Sequence, residues 1–281
     1  MSDDGAPTLW VRDAKFALDA TRAADWNGGS VLQSQVFNAL STFLPAGEAF
    51  FVATLKEVTD RAGGLPDGVT SREADWFARQ ESVHLRQHRD YNACIALRHP
   101  FLLGFLRYVD RSWVLVRALT TKQSRLALTA TLEHVTSIFA RLTLQGRTLH
   151  EDADCGFATL WRWHSLEELE HKSVVFDTYQ GLGYPLRIRR IMMFSVLIIF
   201  ATETAVLCAL LMSHERRLGS KASWAELWRM LRSKTAGAAW RQYWAFFSRD
   251  FHPTDIDDSD LIAKWGADAG IRSFVRRSVA Q

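Results

Sequence analysis

Between residues 31 and 183 apolar residues recur at steps of three and four, the repeat of one helix face. The alternating pattern of a half-buried strand is scarce. Ala, Leu, Arg and Glu are frequent there, so helix propensity agrees with the pattern. Breaks divide the stretch. Pro45-Ala46-Gly47 precedes one helix, and Ala62-Gly63-Gly64-Leu65-Pro66-Asp67-Gly68 is a turn cluster. Thr70 or Ser71 caps the next helix, which runs to about Arg98, ahead of Pro100. A third helix covers about 122–145. The segment from Gln145-Gly146-Arg147 through Asp152 and Asp154 to Cys155-Gly156 reads as a loop. A fourth helix covers about 157–180 and stops at Gly181-Leu182-Gly183. The mixed residues 1–30, ending in Asn27-Gly28-Gly29-Ser30, read as an N-terminal arm. Residues 184–281 read as a C-terminal helical extension of the bundle at 31–183.

The extension opens with a different pattern. From Ile191 to Met212 only Ser195, Thr202, Glu203 and Thr204 are polar. As a helix this segment is about 33 Å long, enough to cross a bilayer. Arg187, Arg189 and Arg190 precede it and Arg216 and Arg217 follow, so the flanking charge sets no orientation. Glu203 near its centre would cost about 2.5–3.5 kcal/mol in lipid and calls for a polar neighbour. A buried fifth helix or a homodimer surface fits the segment, and so does membrane association. Trp224, Trp228, Trp240, Tyr243 and Trp244 follow, interleaved with Arg229, Arg232, Lys234 and Arg241. That composition suits a membrane interface, an aromatic substrate pocket or a packed dimer face. Asp255–Asp260, with Arg272, Arg276 and Arg277 beyond, reads as solvated surface.

Composition narrows the classes. The chain has 281 residues, 48% of them hydrophobic, which suits one main globular domain. A net charge of +3 argues against nucleic acid as a partner. Cys94, Cys155 and Cys208 are far apart, so neither a zinc knuckle nor a disulfide framework is expected, and a reducing cytoplasm fits. Met1-Ser2-Asp3-Asp4 opens no secretory signal.

The chemistry lies in the spacing of carboxylates and histidines: Glu48, then Glu81 with His84, then Glu133, then Glu168 with His171. In Glu-x-x-His on a helix the two side chains lie on one face, about 5–6 Å apart, and can reach one metal ion. One element per long helix, in this order, matches the inward-facing ligands of ferritin-like carboxylate-bridged dimetal bundles. The spacing agrees independently. Each of the four glutamates lies about 12–14 residues, or about 18–21 Å, from its hairpin loop, so two antiparallel hairpins bring them level. The 52 residues between Glu81 and Glu133 leave room for a crossover connection. The expected fold is therefore an all-α, ferritin-like four-helix bundle with additional C-terminal helices. His164 lies four residues before Glu168 and seven before His171, so it shares their face. His88 and Glu203 are supporting candidates. Glu167 and Glu170 read as solvated residues, and His134 points away from Glu133.

The run His164-x-x-x-Glu168-x-x-His171 resembles the ligand helix of p-aminobenzoate N-oxygenase-type diiron enzymes. That resemblance implies a third histidine ligand. Gly47-Glu48-Ala49-Phe50-Phe51, Gln80-Glu81 with His84 and His88, and the run from Trp163 to Lys172 resemble a bacterial family of predicted metal-dependent hydrolases over roughly residues 30–260. Oxygen and nitrogen donors without thiolate suit iron, with manganese as an alternative. No His-Glu-x-x-His, Gly-x-Ser-x-Gly or P-loop string is present.

The expected function is an O2-activating oxygenase. In it two iron ions are bridged by Glu81 or Glu133 together with Glu168, and Glu48, His84, His164 and His171 are terminal ligands. The reaction would hydroxylate, desaturate or N-oxygenate an apolar or aromatic small molecule, with electrons from a separate reductase. A metal-bound hydroxide acting in hydrolysis is the alternative. A non-catalytic, membrane-associated metal-binding protein is a third reading.

Overall fold

The computed structural model describes residues 10–61, 65–66 and 69–278. Of the turn cluster expected at 62–68 only Leu65 and Pro66 lie within the described residues, and Met1–Asp4 lie outside them. The helices are α1 (Val31–Arg61), α2 (Ser71–Arg98), α3 (Leu102–Leu119), α4 (Lys122–Leu144), α5 (Cys155–His171) and α6 (Val174–Gly181). The extension adds α7 (Leu186–His214), α8 (Lys221–Leu231), α9 (Lys234–Ala245), α10 (Ser259–Gly266) and α11 (Ala269–Arg272). The fold is all-α apart from two short strands, β1 (Trp10–Asp13) and β2 (Val275–Ser278), paired antiparallel with Arg12 opposite Arg276.

Helix α1 packs on α2 and α4 on α5, and the pairs meet along α1–α4 and α2–α5. The crossover between them is α3, which lies against α1. The start of α2 follows from its sequence. Thr70 and Glu73 form a reciprocal capping box, so two otherwise unpaired N–H groups are satisfied. At the end of α6, Gly183 sits at φ 66°, where a Cβ would be strained, and turns the chain toward α7.

The bundle interior is layered. Phe37, Phe43, Tyr91, Phe157 and Trp161 fill one apolar layer. Phe50, Phe51, Phe77, Leu126 and Val175 fill another. Along α1 the step from Phe43 to Phe50 passes Glu48, and along α2 the step from Phe77 to Tyr91 passes Glu81, His84 and His88. A polar layer is therefore enclosed between two apolar ones.

Three expectations are corrected. Helix α1 does not begin after Pro45-Ala46-Gly47 but runs through it. Proline deletes the N–H that would bond the carbonyl four residues back. Here that carbonyl, Ser41 O, accepts from Asn92 Nδ2 at 3.0 Å, so the continuous helix leaves no orphan. The fourth helix is interrupted at Lys172-Ser173, directly after His171. There Lys172 turns its ammonium to Asp258 Oδ2 and Ile256 O, both at 2.6 Å. The stretch 255–260 is not all solvated surface. Asp258 is buried and also takes both guanidinium arms of Arg141 at 2.6 Å.

Candidate metal centre

Seven predicted donors, Glu48, Glu81, His84, Glu133, His164, Glu168 and His171, are buried in the polar layer, and His88 joins them. Ligating atoms of Glu81, His84, Glu168 and His171 lie within 4.8 Å of one another. Those of Glu48, His88 and His164 do the same. Glu168 links the groups. Its Oε1 is 3.5 Å from His84 Nδ1, 3.5 Å from His164 Nε2 and 4.0 Å from His171 Nε2. Its Oε2 accepts from Thr136 Oγ1 at 2.5 Å. Glu133 Oε2 and Glu81 Oε1 each stand 3.1 Å from a nitrogen of His171. Glu203 is outside this layer. It accepts from Tyr108 on α3 at 2.6 Å, which supplies the polar neighbour the apolar segment called for.

A cation fits this donor set. Nine buried atoms of this set make no well-aligned hydrogen bond: both oxygens of Glu48 and of Glu81, Glu133 Oε1, His84 Nδ1, His88 Nε2, His164 Nδ1 and His171 Nε2, although Glu81 Oε1 and His171 Nε2 face each other at 3.1 Å. Buried polar atoms are normally paired, because an unpaired one costs about 1–3 kcal/mol. Four carboxylates also carry four negative charges, which two divalent ions would balance. The same physics appears in the proton affinities. Burial, then the Glu81 carboxylate, pushes Glu48 well above the carboxylate range. Burial and Glu168 push Glu133 up to about 8. Burial opposes ionisation of Glu168 too, but His164, His84 and His171 hold it low.

The histidines are oriented by neighbours that local periodicity could not show. Burial alone would favour neutral His84, yet its hydrogen bond to Glu167 holds it well above the ordinary imidazole range. His84 Nε2 donates to Glu167 Oε2 at 3.0 Å, so Nδ1 faces Glu81 and Glu168. Glu167 in turn accepts from Arg12 Nη1 at 2.9 Å. Arg12 also grips Glu170 through both Nη atoms, at 2.8 and 2.6 Å. Glu167 is thus fully buried and Glu170 ion-paired, which corrects their reading as solvated residues. A carboxylate behind a ligating histidine fixes its tautomer and raises its basicity.

A second chain of bonds aims His88. Ser41 Oγ donates to Asn92 Oδ1 at 2.9 Å, so it accepts from His88 Nδ1 at 2.9 Å. The lone pair of His88 Nε2 is thereby left free within its group. Burial, then His164 and His84, keeps His88 neutral. Burial, then His84, holds His164 down to about 3. For His171 the hydrogen bond to Glu133 outweighs burial and raises it. His134, as expected, lies apart, bonded to Gln242 O at 3.0 Å.

No curated protein and no solved structure matches the chain. The match to a known family spans residues 10–257, so it takes in Arg12, every donor and helices α1–α9. With its buried oxygen and nitrogen atoms gathered in groups able to hold a metal, the chain belongs to the family described as predicted metal-dependent hydrolase.

Proposed function

We propose that this protein is a non-haem dimetal oxygenase whose two metal ions are iron. Glu81, His84, Glu133, Glu168 and His171 would hold one ion and Glu48, His88 and His164 the other, with Glu168 within reach of both groups. The observation that carries the reading is the convergence of nine buried atoms without a well-aligned hydrogen bond, all oxygen or nitrogen, from four helices. Such donors suit iron or manganese better than a thiolate-preferring ion. When bound, two redox-active ions supply the electrons that let O2 react with an otherwise inert bond. In net terms one oxygen atom would enter the substrate and the other leave as water, with two protons from solvent and the same two electrons restored to the ions by a separate reductase.

The residues of the chain prepare that chemistry. The two apolar layers keep bulk water from the centre. Arg12 and Glu167 hold His84 in one tautomer, and Ser41 and Asn92 do so for His88. Thr136 fixes one oxygen of Glu168 and leaves the other toward the three histidines.

The family description favours a second reading, hydrolysis by a metal-activated water. One experiment separates the two. The purified protein is analysed for metals, then loaded anaerobically with Fe(II) and exposed to O2 while its visible spectrum is followed. About two irons per chain and a transient visible band are expected. Zinc or a single ion, with no response to O2, would overturn the oxygenase reading in favour of hydrolysis.

A further inference from the structure

We propose that helices α3, α7, α8 and α9 form an in-plane docking face for an anionic lipid leaflet. The apolar segment at α7 is mostly uncovered. Ile191, Phe194, Ile198 and Val206 are exposed along one side, Ile198 to 64%. The opposite side is occupied: Met193, Val196, Leu207 and Leu211 are buried against the bundle. A helix packed lengthwise on α1 and α4 cannot cross a bilayer without carrying the polar centre in with it, so α7 lies along the surface.

The face extends past α7. Phe194 meets Trp244 of α9, and Glu203 meets Tyr108 of α3. Leu115 on α3 is 57% exposed and Trp228 on α8 is 61% exposed. An apolar cavity of about 280 Å³ lies between α3 and α7, and the exposed Ile199 lines it. It offers a socket for a lipid chain.

Charge selects the occupant. Residues 186–245 contain ten Lys and Arg against three Asp and Glu, a net +7, and the rest of the chain is net −4. Trp224, Trp228, Trp240 and Trp244 are exposed and interleaved with exposed Arg229, Arg232 and Arg241, a composition suited to a headgroup boundary. A two-fold dimer through this face would set the same basic residues against their copies. An anionic leaflet complements them.

The test is cosedimentation of the full-length protein with vesicles of phosphatidylcholine alone or with phosphatidylglycerol added. Binding to the anionic vesicles is expected, weakened by salt and lost by alkaline extraction. Arg229→Gln and Arg241→Gln should each reduce it about fivefold. Ile198→Asp should abolish it while leaving the metal content unchanged. Equal binding to both vesicles, or resistance to alkaline extraction, would overturn the proposal. So would a lipid-free dimer that Ile198→Asp converts to monomer. None of these readouts depends on the chemistry of the metal centre.

Discussion

Arg12 carries one positive charge and meets two carboxylates, and one of them, Glu167, touches His84, a ligand in the proposed dimetal reading. In that reading Glu167 positions His84 rather than ligating the metal itself. In Glu167→Gln the charge behind the imidazole is lost while shape is kept. Metal affinity should fall by about 10–100-fold with little change in fold, measured by competition with a chromogenic chelator. Unchanged affinity would mean that His84 needs no support from Glu167. The convergence of these carboxylates and imidazoles was legible, because Glu-x-x-His spacing puts them on helix faces wherever the helices end up. Their supports were not. Arg12 and Glu167 are 155 positions apart, and nothing local in either residue's surroundings announces the contact. The signal for His88 was present in its place one turn beyond His84. What gave it a free lone pair was Ser41, from another helix.

Among the elements, α1 shows how a local rule is overridden. Pro45 marks a helix break by its own chemistry, yet Asn92 from α2 fills the carbonyl it orphans. The capped start of α2 and the glycine stop after α6 are set within a few residues, and the sequence reading placed both correctly. At the interruption after α5, Asp258, from far along the chain, gathers Lys172 and Arg141 in a buried site. Removing that one anion strands two cations. Asp258→Asn should therefore cost about 3–5 kcal/mol in urea unfolding at neutral pH. Arg141 and Lys172 outweigh burial and hold Asp258 below its ordinary range. A depressed carboxyl contributes stability above its unfolded value, about 3.9, and loses it as pH falls further. The deficit of the variant should shrink in acid accordingly. A constant deficit from neutral pH into strong acid would place the cost in packing instead.

At the scale of the whole molecule, the bundle encloses four carboxylates that repel one another and oppose ionisation by their burial. Without a cation, protons do the balancing. Glu133 binds its proton up to about 8, against about 4.3 when unfolded. Glu48, His84 and His171 are also raised. His88, His164, His134 and His99 are lowered, so they cost native-state protons wherever unfolded imidazoles are charged, below about pH 6.5. Above that the native state holds more protons than the unfolded one up to about pH 8, so stability of the metal-free protein falls as pH rises through that window. Glu168 works in the opposite sense, but its depressed value moves that effect below the window. Metal ions must displace these same protons, so their affinity rises with pH, by about tenfold per pH unit for each proton released. The two trends diverge. Thermal unfolding of chelator-treated protein should occur at lower temperature at about pH 8 than at about pH 6.5. The gain on adding Fe(II) anaerobically, or Mn(II), should be larger at the higher pH. A metal-induced gain that is the same at both values would show that ions bind somewhere other than among these carboxylates.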